Sequence, residues 1–416
     1  ELIFKRELAP HKNPKMTLGL PRCLNIFDNF VFWHALLTTC GFNIVLSGPS
    51  TVQMGEKGMG TVMSDNICFP AKLVHGHIVD LVEKGVDRIL YPIVVYEKKR
   101  FEEALNAYNC PIVSGYADVI ESAVHPEQQF GIPLDRPILT FNDSMLLKKV
   151  CHNYLKQFHV PKKLINKALE TALAANETYR QNIFHKATQI IDKAKKDQSL
   201  LIVLAGRPYH ADSLINHKIP EILSGFGADI ITEDAVPVLT DSLKDVWALT
   251  QWSYPNRIYN AASWVARQPA NVQLIQLNSF GCGPDAIVID EVREILKTGR
   301  KNHTLIKVDE IASPGSVRLR IRSMIESLKF SRADTKTSLS PRKSFVKFQA
   351  QDKNRTILAP FFSEDYSVYL DDLFSNTGYN FHILPRPDRQ SVDLGLQYAS
   401  NDICYPGIIV TGDIIK

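Results

Sequence analysis

The sequence predicts an α/β protein: successive Rossmann-like parallel-sheet domains joined by a helical segment, with a truncated repeat of the first unit at the C-terminus. Three observations lead there. Apolar runs of strand length alternate with amphipathic stretches of helix length through most of the 416 residues, the pattern of a parallel sheet covered on both faces. Residues 144–197 instead carry apolar side chains at helical spacing, broken once at Pro161. Finally, Ser64-Asp65-Asn66-Ile67-Cys68-Phe69-Pro70 returns as Ser400-Asn401-Asp402-Ile403-Cys404-Tyr405-Pro406, and internal repetition is a fold-level signal.

Taken in order, residues 1–15 are polar and read as a linker. The first domain, 16–143, opens with a strand at Thr17–Leu20, a helix at Asn25–Thr39 that stops at Gly41, and a strand at Asn43–Leu46. Gly48–Gly60, with Gly55, Gly58 and Gly60, reads as a loop-rich connection. A helix at Ala71–Lys84 and a buried strand at Arg88–Val95 follow. The helical connection, 144–199, leads to a second Rossmann-like domain, 200–330. Its strands are expected at Leu200–Ala205, Asp229–Thr232, Val272–Leu277 and His303–Val308. Its helices are expected at Ile219–Phe226, Tyr254–Ala266, Asp285–Lys297 and Val317–Phe330.

Residues 331–354, rich in Ser, Thr, Lys and Arg without an apolar period, read as a second linker. The module at 355–416 then restarts the first. Thr356-Ile357-Leu358-Ala359-Pro360 answers Thr17-Leu18-Gly19-Leu20-Pro21, and the stretch from Gly378 to Leu384 answers Gly41 to Leu46. The chain opens on Glu1 and stops on Lys416 inside an apparent helix, so it is expected to be part of something longer.

Composition narrows the function classes. Hydrophobic residues make up 45% and charged residues 22%, as in globular domains. The net charge of +4 is dispersed, which argues against a nucleic-acid surface, and so no nucleic-acid partner is expected. No apolar run approaches the ~20 residues of a membrane span. The seven cysteines are odd in number, widely spaced and without a Cys-x-x-Cys pair. That suits a reducing compartment, hence a cytoplasmic location, and excludes a zinc ribbon.

The cysteines nevertheless carry most of the chemistry. Cys68 and Cys404 each precede a proline by two positions, which places them at helix starts where amides and the helix dipole favour a thiolate. Burial as a small hydrophobe is the competing reading. Cys282 lies between Gly281 and Gly283 directly after an apolar strand. Strand carboxyl ends are where open sheets bind ligands, and flanking glycines free backbone amides. Cys110 reads as part of a polar loop, and Cys23, Cys40 and Cys151 as structural. Arg207 and His210, in Gly206-Arg207-Pro208-Tyr209-His210, also follow a buried strand and could hold an anion; a tight turn with a surface arginine competes. His75 and His77 fall on opposite sides of a helix and do not chelate one metal, although His75 alone could approach Cys68. The Gly55–Gly60 stretch lacks the Gly-Lys-Ser/Thr ending of a phosphate loop, so no ATPase motif is present.

Together, Ser64–His77, Gly206–Pro220, Thr232-Glu233-Asp234 and Leu277–Ala286 resemble the activase-related region of large fused acyl-CoA dehydratase activase proteins, the 2-hydroxyglutaryl-CoA dehydratase activator family of anaerobic metabolism. The resemblance implies an iron–sulfur electron-transfer component, of the 4Fe–4S type, receiving or passing low-potential electrons. Its partners would be upstream ATP-hydrolysing activator domains and an acyl-CoA dehydratase, with homo-oligomerisation possible. It offers Cys68, Cys110, Cys282 and Cys404 as cofactor thiolates, with Cys68, Cys110 and Cys282 as the metal-binding trio, beside Arg207 and His210. There are two departures: Tyr91-Pro92-Ile93 stands where relatives have Tyr-Pro-Cys, and Pro255 stands where a histidine is expected. A cluster-less acyl-CoA-binding or scaffolding module is the alternative.

Overall fold

A computed structural model describes residues 2–6, 14–310, 313–330, 348–400 and 403–416. Most of the first linker, residues 331–347 of the second, and Asn401 and Asp402 of the repeated stretch lie outside the described residues. The chain divides into two compact units: Glu1–Phe280 with Val288–Arg342, and Gly281–Ile287 with Lys343–Lys416.

The first unit opens with β1 (Thr17–Leu20), α1 (Ile26–Thr39), β2 (Asn43–Leu46), α2 (Val52–Met59), α3 (Phe69–Glu83), β3 (Arg88–Leu90) and β4 (Ile93–Tyr96). It continues through α4 (Pro111–Val124), α5 (Pro126–Phe130), β5 (Leu134–Asp135) and β6 (Ile138–Thr140). The strands pair in parallel in the order β2-β1-β3-β5, with β4 beside β6. The expected single strand at Arg88–Val95 is therefore two. Pro92 interrupts it, and Pro137 interrupts the neighbouring strand at the same level; neither has an amide to donate. The ladder steps across the break through Tyr91 N–H to Asp135 C=O (2.9 Å) and Ile93 N–H to Pro137 C=O (3.0 Å).

A second correction concerns Gly48–Gly60, which contains α2 rather than only loop. Thr51 caps it, its hydroxyl accepting from Met54 N–H at 3.1 Å. The glycines serve a helix crossing. A Cβ at Gly58 would collide with the backbone of Gly76 on α3, and one at Gly76 with the carbonyl of Met54. The stretch Pro111–Phe130, to which no element was assigned, forms α4 and α5.

Helices α6 (Ser144–Lys156) and α7 (Lys162–Asp197) form the connection, and Pro161 is the N-cap that separates them from one another. The second sheet follows with β7 (Leu201–Ala205), α8 (Ile219–Gly225), β8 (Asp229–Thr232) and α9 (Ser253–Ala266). It ends with β9 (Val272–Ser279), α10 (Gly283–Thr298), β10 (Thr304–Val308) and α11 (Pro314–Phe330). Its order is β10-β9-β7-β8, all parallel. Strands β7 and β9 are buried throughout, as expected of a sheet covered on both faces. No helix among the described residues is long and apolar enough to cross a membrane.

The second unit contains β11 (Ile357–Ala359), α12 (Ser367–Asn376), β12 (Phe381–Ile383), α13 (Arg389–Tyr398) and α14 (Tyr405–Ile415), with β11 and β12 parallel. It reproduces the β1–α1–β2–α2–α3 order, and the likeness extends to details the sequence comparison did not pair. Asp388 caps α13 as Thr51 caps α2, accepting from Ser391 N–H. A Cβ at Gly412 would strike the carbonyl of Ser391, just as one at Gly76 would strike Met54.

Candidate functional site

Open parallel sheets bind ligands where the connections switch direction, in the crevice at the strand carboxyl ends. In the first sheet this point lies between β1 and β3. The Asn25 side chain, after β1, donates to the Pro92 carbonyl beyond β3 at 2.9 Å. Cys23 and Tyr91 fill the same level, both fully buried, and burial pushes both well above their usual pKa.

Cys68 and Cys110 occupy equivalent places nearby. Each is the N-cap of the helix it introduces, α3 and α4 respectively, with proline in the first turn. Cys110 is therefore not in an open polar loop; it is 9% exposed, and its sulfur accepts from Val113 N–H at 3.5 Å. Both thiols join one apolar cluster that also holds Cys23, Tyr91, Ile93, Tyr116 and Tyr254. The Tyr91 hydroxyl meets the Cys23 thiol there, and that of Tyr254 is buried without a hydrogen-bond partner among the described residues.

The paired histidines of α3 are committed to the fold. Ser50 donates to Asp212 (2.7 Å), so its oxygen accepts from His77 Nε2–H (3.0 Å), and His77 Nδ1 accepts from Ser47 (2.8 Å). This chain ties the loop after β2 to the loop after β7. His75 donates from Nδ1 to Thr61 (2.7 Å), whose own hydroxyl is given to Gly58 C=O, and accepts from Tyr116 at Nε2 (2.9 Å). Burial holds His75 down at about 4 and His77 at about 3, so both are neutral.

The second switch point lies between β7 and β9. Arg207 and His210, predicted to hold an anion, stand after β7 and are both 3% exposed. The imidazole folds back over its own turn: Nδ1 accepts from Arg207 N–H (3.1 Å) and Nε2 donates to Ser279 at the end of β9 (3.0 Å). A Cβ on Gly206 would come within 2.6 Å of that ring, which is why glycine begins the turn. His210 thus bridges the two strands at the switch point, and both its nitrogens have protein partners.

Beside this bridge lies a cavity of about 450 Å³, at the carboxyl ends of β7 and β8 and walled by α1 and α7. Its walls are mostly apolar, with Phe27, Ile183, Ile190, Leu204, Ile231 and Leu277 among them, and its carboxylates converge on Arg257. Arg257 is 3% exposed and reaches Glu233 (3.1 Å), Asp28 (3.3 Å) and Asp234 (3.7 Å). Burial opposes ionisation of Asp28, but Arg257 and Arg100 outweigh it and hold the carboxyl at about 2. Glu233 goes the other way: burial lifts it to about 7 against the pull of Arg257. Glu97, fully buried and accepting from Asn29 and Asn109 at 3.0 Å each, is also lifted to about 7, by burial and then by the charge of Asp28.

Of this network, the sequence singles out only Thr232-Glu233-Asp234, without a role. Asp28 sits on an aromatic-rich helix more than two hundred residues from Arg257, and nothing local marks either as buried.

The remaining predicted cysteines belong to the second unit. Cys282 directly precedes α10, its carbonyl accepting from Ala286 N–H at 3.2 Å, and Cys404 is the N-cap of α14. Cys404 is exposed and Cys282 half-buried. All four predicted cysteines therefore stand at helix starts.

An iron–sulfur cluster needs several thiolates within reach of one another. The first unit brings together Cys68 and Cys110, and an alkyl group, Ile93, shares their cluster. Among the described residues no three Cys, His, Asp or Glu side chains form a group able to hold a metal ion. Of the predicted trio, the first unit holds Cys68 and Cys110, and Cys282 belongs to the second unit.

The fold and these crevices define an α/β protein with two four-stranded parallel sheets, a cavity beside the switch point of the second, and cysteines at helix starts. The chain belongs to the family described as CoA enzyme activase uncharacterised domain (DUF2229), which it matches over residues 17–236. No curated protein matches it. Among solved structures, the C-terminal domain of glucosamine-fructose-6-phosphate aminotransferase from Francisella tularensis is similar at 9% identity, covering 79% of this chain and 87% of that one. Its TM-score of 0.20 is too low to carry a structural argument.

Proposed function

We propose that the first unit is the acyl-CoA-binding module of a 2-hydroxyacyl-CoA dehydratase activase-type system, serving a dehydratase partner. The observation that carries this reading is the cavity of about 450 Å³ at the carboxyl ends of β7 and β8, beside the second switch point, within the ~300–1,000 Å³ usual for small-molecule sites. Its apolar walls suit an acyl-pantetheine arm, which is uncharged. The protonated form of Glu233 could donate to the thioester carbonyl, since that carboxyl is held at about 7. Lys186, exposed on the cavity wall, would meet the phosphates outside.

Calorimetric titration with butanoyl-CoA tests the reading. Binding is expected in the wild type and should be lost in Ala211→Trp, which adds bulk at an exposed wall position. Equal binding by a correctly folded Ala211→Trp protein would refute the cavity as the site.

A second reading is electron transfer through an iron–sulfur cluster, and the position of all four predicted cysteines at helix starts favours it. Cys68 and Cys110 would supply two thiolates, and another domain of the system the rest; the cluster would supply one-electron chemistry at low potential. Anaerobic reconstitution with iron and sulfide, alone and with an activator component, tests this. Iron bound per chain should fall on Cys68→Ala or Cys110→Ala, and an unchanged count in both would exclude it.

A further inference from the structure

Cysteines far apart in sequence are easily assigned to one cluster, yet the second unit groups two of them differently. The turn after β9 carries Cys282 between Gly281, whose φ is +72°, and Gly283, the first residue of α10. A Cβ placed on Gly283 would stand 3.9 Å from both the Cβ and the Sγ of Cys404. The usual Cβ–Cβ separation across a disulfide is ~3.8 Å. Position 283 therefore already has disulfide spacing to Cys404, and Cys282 is its immediate neighbour. Glycine on both sides lets that short turn rotate without a steric penalty from its neighbours.

Both sulfurs also sit at helix starts, and exchange proceeds through the thiolate form of the attacking sulfur. Wide spacing and an odd cysteine count argue against a permanent disulfide framework. They leave room for a transient one of the kind reducing compartments use for sensing.

We propose that Cys282 and Cys404 form a redox-active dithiol, closed to an intramolecular disulfide by small-molecule disulfides such as oxidised glutathione. The exposed Cys404 thiolate attacks one glutathione sulfur and releases the first glutathione thiolate. The Cys282 thiolate then attacks the sulfur of Cys404 and releases the second. Overall, one dithiol is oxidised, one glutathione disulfide is reduced to two thiols, and two protons leave the protein thiols. Closure removes both sulfurs from any other use and pins the turn after β9 to the start of α14. The proposal is independent of acyl-CoA binding and of any cluster, because its test uses neither.

The reduced chain is incubated with oxidised glutathione, and unreduced peptides are mapped by mass spectrometry. The expected result is a Cys282–Cys404 cross-link, with titratable thiols falling from seven to five. Cys282→Ser and Cys404→Ser should each leave the other cysteine as a glutathione adduct. Gly283→Cys in the Cys282→Ser background separates geometry from native reactivity and should close onto Cys404. Glutathione adducts on both native cysteines without a cross-link, while Gly283→Cys still closes, would overturn the native dithiol. Failure of both to close would overturn the placement as well.

Discussion

Arg257 serves three carboxyl groups from inside the protein, and that sharing decides how the fold responds to pH. Glu233 and Glu97 both titrate near 7 in the folded chain, against about 4.5 for an ordinary glutamate. Between those values the folded state holds protons that the unfolded chain has released. Their stabilising contribution is therefore complete below about pH 4.5 and is lost as the pH rises through 7. Asp28 acts in the opposite sense: its contribution is present above about 3.8 and is lost as the pH falls through about 2. Thermal unfolding followed from pH 4 to pH 8 should show Glu97→Gln flattening the decline toward neutral pH; a curve parallel to the wild type would refute this. Arg257→Ala takes the buried cation from Glu233 and leaves Asp28 the more distant Arg100, and should cost ~3–5 kcal/mol, measurable by urea denaturation. Ile93→Cys adds a thiol to the cluster that already holds Cys68, Cys110 and Cys23. Under the electron-transfer reading, anaerobic reconstitution of this variant should raise the iron bound per chain. At this scale the sequence was informative about residue type and poor on partners. Cys68 and Cys404 were readable as helix starts because a proline follows each. Cys110 was not, although Pro111 follows it, because its polar neighbours suggested a loop.

At the scale of elements, most strands and helices were legible because apolar periodicity and helix-stop signals are local. The misreadings have two physical causes. Glycines clustered near residue 58 look like turn chemistry, but Gly58 and Gly76 exist to let α2 and α3 touch backbone to backbone. An interruption shared by two neighbouring strands at Pro92 and Pro137 becomes visible only once the strands are paired. The crossing makes a direct prediction. Gly76→Ala should destabilise the chain by at least the ~1–3 kcal/mol typical of overpacking, whereas Gly60→Ala, with nothing near its added methyl, should stay within ~0.5 kcal/mol. Equal urea midpoints for the two variants would remove the argument for a close crossing. Gly412→Ala extends the test to the second unit, whose crossing repeats the first.

Across the first unit, α7 belongs to two cores at once. Ile165, Ala168, Leu169 and Ala172 near its start pack in the core of the first sheet, while Ala187, Ile191 and Ala194 near its end pack in that of the second. Between and among these, Tyr179, Ile183, Lys186, Ala187 and Ile190 line the cavity. At a rise of ~1.5 Å per residue, its 36 residues make a rod of about 54 Å with no internal proline. Such a rod behaves as a strut. It resists compression along its axis, so neither core can slide along it without dragging the other. A guest pressing on the wall near Ile183 meets a beam held in a core at each end, so any yielding there takes the form of bending between the two.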